Sequence, residues 1–343
     1  MRSDVLLWAA GAALATAGWV ALQRRDIPFA ALERKYANAQ SRYLGLPGRL
    51  RVHYRDEGAR RGPALVMAHG FFASLHTWGP WVERLRDRFR IVTVDLPGHG
   101  LTRAPADYPM SLERSAEVLD AVAEHLGLGP YVLVGSSMGG GAAWTLAMNR
   151  PERLRGLVLV GSIGGPGGDR ALRAFLQFLA SPWVRPLVRD LESRPFVRRA
   201  LLRAYREPGL VTPELIDRHI ELSRAPSHRD IHLNGGAAVP PAVEAFRKIA
   251  VPTLVMHGEA DAIVPASGGR WLAATIPGAK LVTYPEVGHI PMEQIPGRSA
   301  EDLAEFVDGL AAPEPKPASK RRRGVTAPKT ARGRSAAPPR KPR

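Results

Sequence analysis

The chain has 343 residues, of which 45% are hydrophobic and 23% charged, so it is long and apolar enough to bury a sizeable core. Cysteine is absent, which excludes a disulfide framework, a thiolate metal site and a cysteine nucleophile and leaves the redox compartment open. The formal net charge of +16 has the look of a nucleic-acid signal, but eleven Lys or Arg face one acid, Glu314, between Pro313 and Arg343, so ten of the sixteen charges sit in that stretch.

At the N-terminus, Val5 to Leu22 carries eighteen residues without a charge. As a helix this segment reaches about 27 Å, enough for a bilayer core. Trp8 and Trp19 near its ends suit the two interfaces. The segment therefore predicts a membrane anchor over residues 1–25. Arg24, Arg25, Arg34 and Lys35 on its C-terminal side favour a cytoplasmic catalytic domain. The alternative is an exported protein, with Ala15-Thr16-Ala17 as the cleavage site of a secretory signal.

From residue 41 to 310 the chain alternates strand-like and helix-like segments, the pattern of a mostly parallel sheet covered on both faces. Strands are expected at 49–55, 64–68, 90–94, 131–135, 154–160, 253–256 and 280–284. Helical spacing appears at 78–89, 111–126 and 138–149, the second opening with Ser111 and Glu113 as an N-terminal signature. Between residues 164 and 247 the strands stop and arginine-rich amphipathic segments take over. Placed where the strands' C-terminal ends open, this block is expected to roof a site as a helical cap. The core then comprises residues 41–163 and 248–311. Residues 312–343, rich in Pro, Lys and Arg and nearly free of apolar side chains, are expected to be a disordered basic tail. Such a tail is either a solvated extension or, with the N-terminal helix, a means of membrane association; a nucleic-acid partner is not expected.

The strand at 131–135 runs into Gly135-Ser136-Ser137-Met138-Gly139 and then a helix, the context of a nucleophile elbow. A serine hydroxyl needs such a sharp turn to expose its oxygen, meet a base and face backbone N–H groups. Asp261, beyond the strand at 253–256, supplies the acid, and His289, beyond the last strand, supplies the base. Glu259 is the rival acid. After the strand at 154–160 the chain reads Gly161-Ser162, so no carboxylate is offered there. The backbone amides of Phe71 and Met138 are the candidate oxyanion donors. His69, His99 and Asp95 read as loop supports. Histidines 53, 76, 219, 228 and 232 lack metal-ligand spacing, so neither metal nor cofactor is expected.

Five motifs in order carry a family likeness: His69-Gly70-Phe71, Asp95-Leu96-Pro97-Gly98-His99-Gly100, Gly135-Ser136-Ser137-Met138-Gly139-Gly140, Gly258-Glu259-Ala260-Asp261-Ala262-Ile263-Val264-Pro265, and Val287-Gly288-His289. Over roughly residues 49 to 310 the chain resembles the α/β-hydrolase superfamily. The resemblance implies an eight-stranded, mostly parallel sheet with helices on both faces, an inserted cap after the sixth strand, and a triad of Ser137, Asp261 and His289. It adds no substrate; the complete triad and the sizeable apolar cap point to acyl chemistry through an acyl-serine on a small-molecule ester, small or medium in size and apolar. Cleavage of C–C bonds in β-diketone-like acids, perhydrolase activity and a non-catalytic membrane-tethered binding role are the alternatives. The dehalogenases and epoxide hydrolases that this chain resembles use an aspartate nucleophile, which disfavours those activities.

Overall fold

A computed structural model describes residues 16–166, 177–234 and 241–310, together with Trp8, Leu14 and Ala174. Eight strands form one sheet: β1 (Ser41–Leu46), β2 (Leu50–Gly58), β3 (Ala64–Ala68), β4 (Arg90–Val94), β5 (Tyr131–Ser136), β6 (Leu154–Val160), β7 (Thr253–Gly258) and β8 (Lys280–Tyr284). Their order is β1-β2-β4-β3-β5-β6-β7-β8. β2 runs antiparallel to β1 and β4, and every other pair is parallel.

Near-continuous apolar sequence explains the parallel part. Every residue of β5 and of β7 is buried, as strands covered on both faces require. Successive side chains go to opposite faces, so Leu65, Met67, Val132 and Val134 join one core cluster while Val66, Ala68, Tyr131 and Leu133 join the other.

Helices fill both faces. The first four with both ends described are α1 (Phe29–Tyr36), α2 (Gly79–Leu85), α3 (Leu112–His125) and α4 (Met138–Asn149). In α3 the Ser111 hydroxyl accepts from the Arg114 amide at 3.2 Å, the N-cap that its sequence announces. The helix expected at 78–89 is shorter because Leu75–Trp78 forms a 3₁₀ turn and the helix ends at Leu85. Between β6 and β7 lie α5 (Arg185–Val188), α6 (Arg194–Tyr205), α7 (Pro213–Ser223), α8 (His228–Asn234) and α9 (Val243–Phe246). This is the inserted helical cap. Leu201, Tyr205, Leu215, Ile216 and Ile220 give it a small core, which packs against Ile290 beside the last loop. Then follow α10 (Ala266–Thr275), α11 (Pro291–Gln294) and α12 (Pro296–Asp308). The Trp81 indole N–H of α2 donates to Ser299 Oγ of α12 at 2.9 Å.

Two elements escape the sequence reading. β1 pairs with β2 through the turn Pro47-Gly48-Arg49, where Gly48 takes φ 76° and Arg49 φ 59°. α1 docks Leu32 beside Leu101, Leu222 and Ala225.

The membrane anchor expected over Val5 to Leu22 is corrected. Among the described residues no helix is long and apolar enough to cross a membrane. The physical reason lies at the C-terminal end of the segment, where residues 16–22 are helical but engaged by the cap. The Trp19 indole donates to Leu187 O at 2.8 Å, Gln23 bridges Leu191, and the Arg24 amide donates to Asp190 O at 2.8 Å. The orientation argued from the flanking arginines falls with the anchor, because Arg24 turns to Glu192 of the cap. Most of residues 1–15 and all of the tail at 312–343 lie outside the described residues.

Candidate active site

The turn from β5 into α4 holds Ser137 at φ 53° and ψ −115°. For a residue with a Cβ this is strained backbone, at a cost on the order of 1–3 kcal/mol. Its neighbours leave no room for side chains: a Cβ on Gly135 would stand 2.3 Å from Gly139 O, and one on Gly139 would stand 2.2 Å from Ala68 O. The Ser137 amide donates to Val160 O at 3.0 Å, pinning the turn to the end of β6. Gly70, after β3, backs onto the serine, its notional Cβ 3.1 Å from Ser137 Cβ. The turn therefore stands between the Phe71 loop and β6. Met138 opens α4, so its amide is among those that a helix N-terminus leaves without an intrahelical partner.

Asp261 follows β7. Its Oδ2 lies 2.7 Å from His289 Nδ1, and its Oδ1 accepts the amides of Ile263 at 2.7 Å and Val264 at 2.9 Å. Burial alone would raise its pKa. Hydrogen bonds from His257 and His289, the charge interaction with His289 and the Val264 amide outweigh that and hold the carboxyl well below the ordinary range. Glu259 is elsewhere, with Arg270 at 3.5 Å.

His289 sits in the loop after β8. Its amide donates to Ala204 O of α6 at 2.8 Å, and Gly288 before it donates to Gln294 Oε1 at 2.8 Å. On its other side is Gly161, where a Cβ would come within 3.1 Å of His289 Nδ1. Among the described residues no hydrogen bond joins Ser137 Oγ to His289. Each lies against the end of β6, Ser137 at Val160 and His289 at Gly161.

The sequence reading missed His257. Its Nε2 lies 2.9 Å from Val264 O and 3.3 Å from Asp261 Oδ2, so it braces the acid from behind. A histidine four residues before the acid is the only signal in the sequence. Asp95 accepts from His53 at 2.7 Å and from the amides of Leu75 and Leu101 at 2.8 and 2.9 Å, so it organises loops. His69 does likewise, bonding Gly70 O and the Leu96 amide.

The arrangement places a strained serine, a buried imidazole and a carboxylate just beyond the C-terminal ends of β5, β8 and β7. The family described as the alpha/beta hydrolase fold matches residues 63–294. The pimeloyl-[acyl-carrier protein] methyl ester esterase of Nitrosomonas europaea is 31% identical over 265 residues, covering 71% of this chain and 95% of that protein. Haloalkane dehalogenase 2 of Mycobacterium tuberculosis is 29% identical over 269 residues, covering 74% and 91%. The solved structure of a thermophilic esterase from Thermogutta terrifontis superposes with a TM-score of 0.66 at 26% identity, covering 79% of this chain and 98% of that one.

Proposed function

The chain belongs to the α/β-hydrolase superfamily and is a hydrolase, and from that premise we propose that it is a serine hydrolase of carboxylic esters working through Ser137, His289 and Asp261. The observation that carries the reading is the 2.7 Å contact of Asp261 with His289 Nδ1 at the C-terminal end of the strands, where Ser137 is held in its strained turn. In this mechanism Asp261 keeps the proton of His289 on Nδ1, which leaves Nε2 free as the base. Ser137 Oγ attacks the ester carbonyl as His289 takes its proton. The amides of Phe71 and Met138 stabilise the oxyanion, and the alcohol departs with the proton held by His289. Water then attacks the acyl-serine, His289 takes the water's proton and returns it to Ser137, and the acid leaves.

Chemistry favours the esterase-like relative over the dehalogenase-like one. Displacement of a halide by Ser137 would leave an alkyl ether on the enzyme, which water does not cleave, so the cycle would stop after one event. Acylation leaves an ester that the same imidazole can hydrolyse. The test is a p-nitrophenyl ester series from acetyl to palmitoyl with the full chain and its Ser137→Ala variant. Turnover peaking at short or medium acyl length, and lost in the variant, is expected. No turnover at any length from folded protein would sink the reading.

A further inference from the structure

Glu293, in α11, carries a carboxyl that the proposed mechanism does not use. It follows His289 by four residues, is partly buried, and accepts a hydrogen bond from the Thr77 hydroxyl. Thr77 belongs to the 3₁₀ turn Leu75–Trp78, which follows the Phe71 loop. Glu293 also faces the cap. The hydroxyl of Tyr205, the last residue of α6 and 1% exposed, interacts with the same carboxyl without closing a hydrogen bond of ordinary geometry. Arg218 of α7 adds a charge interaction. One carboxyl therefore joins a core turn, the segment after His289 and two cap helices.

The same end of α6 carries the loop of the proposed base. A helix leaves its last carbonyls without intrahelical partners. The Ala204 carbonyl, one residue before the end of α6, takes the His289 amide instead, at 2.8 Å. Gly288 lets the two backbones come this close: a Cβ there would stand 2.3 Å from Ala204 O and 2.7 Å from Arg206 Cγ. Ile290, the next residue after His289, packs into the cap core with Leu201 and Tyr205. The main chain around His289 is thus seated on the cap, while its ring is held by Asp261 after β7. A shift of α6 would pull the amide and leave the ring's partner where it is. For a catalytic group, a misplacement of about 1 Å can cost on the order of 10²-fold in rate.

We propose that Glu293 is a positioning residue: it docks the end of α6 on the core and, through the Ala204 carbonyl, sets where His289 stands. That His289 is a base rests on the serine-hydrolase reading, whereas its placement by Glu293 is measurable without turnover.

Proton NMR of the full chain reads that placement. An imidazole N–H held short against a carboxylate resonates far downfield, and two are expected, His289 Nδ1–H on Asp261 and His53 Nδ1–H on Asp95, each at 2.7 Å. The resonance lost in His289→Gln is that of His289. Glu293→Leu removes the carboxyl while keeping an apolar body in its place. It is expected to move or broaden the His289 resonance, leave that of His53 in place and lower kcat about tenfold or more. Glu293→Gln still accepts from Thr77 and is expected to return both readouts to near the parent's values. An unchanged His289 resonance in Glu293→Leu, or a Gln variant as impaired as the Leu variant, would overturn the proposal. Hydrogen exchange on the unmodified full chain covers the case in which Glu293→Leu does not fold. The His289 amide is expected to exchange in step with the amides of α6 and faster than those of β7, whereas exchange in step with β7 would overturn the proposal. If the resonances and exchange rates behave as expected while the parent chain hydrolyses no ester, the esterase reading fails and the seat of His289 on the cap stands.

Discussion

In the proposed mechanism Ser137 and Asp261 are single residues held for chemistry, the serine at the expense of local comfort. At φ 53° the serine occupies backbone that a glycine adopts freely. Ser137→Gly is therefore expected to abolish ester turnover while raising stability by about 1 kcal/mol, read from a higher midpoint in urea or heat. Asp261 spends one oxygen on two amides and the other on His289. An asparagine can still take the amides, but its NH₂ then faces His289 and forces the proton to Nε2, where the base should be. Asp261→Asn is expected to lower kcat by on the order of 10³–10⁴ with the fold intact, checked by kinetics beside circular dichroism. At this scale the positions of Ser137 and Asp261 were legible because each sits in a short motif just beyond a strand. His257 was not, since its contact with Asp261 is a product of how the turn at 258–264 closes.

Among the elements, α1 and the chain before it work as a strap across the cap. Asp26 pairs with Arg189 at 2.9 Å and with Arg229, while Lys35 and Tyr36 both reach Glu221 of α7. Leu32 is the apolar fastening, 1% exposed between core loop and cap. Leu32→Ala is expected to cost about 2–4 kcal/mol, with the cap segment becoming the first site cut in limited proteolysis. Neither α1 nor β1 is marked in the sequence. α1 starts after Pro28 without a side-chain cap and buries one leucine. β1 alternates weakly around Gly45, and its pairing with β2 depends on a turn rather than on pattern. Residues 16–22 were misread for the same reason in reverse: an apolar run read alone implies lipid, whereas its described end finds a protein surface.

Across the whole molecule, buried histidines set the response to acid. Burial holds His76 and His219 down at about 4 and His232 at about 3, and His69, His99 and His228 are lowered for the same leading reason. An unfolded imidazole titrates near 6.5, so between about pH 6.5 and 4 the unfolded chain takes protons that the folded one refuses. Stability is then fully present above about pH 6.5 and falls as pH drops through that window, by up to about 1.4 kcal/mol per pH unit for each such histidine. Glu57 and Glu293, raised by burial, act in the opposite sense but are two groups against six. Urea midpoints measured at steps from pH 7.5 to 4.5 are expected to decline steeply below 6.5, and a flat profile would contradict this reading of the core. The parallel part of the sheet was legible, because strands buried on both faces are unbroken apolar runs, whereas the six histidine environments are assembled from loops and cap and leave no periodic trace.

The central claim is that a covalent acyl group forms on Ser137. Rapid-quench mass spectrometry of the full chain mixed with p-nitrophenyl butyrate tests it most directly. The expected result is one butyryl group per chain, on the peptide containing Ser137, accumulating to a higher level in Asp261→Asn if deacylation is slowed more than acylation. Multiple turnovers with no acylated peptide, or with the acyl group on another residue, would contradict the mechanism.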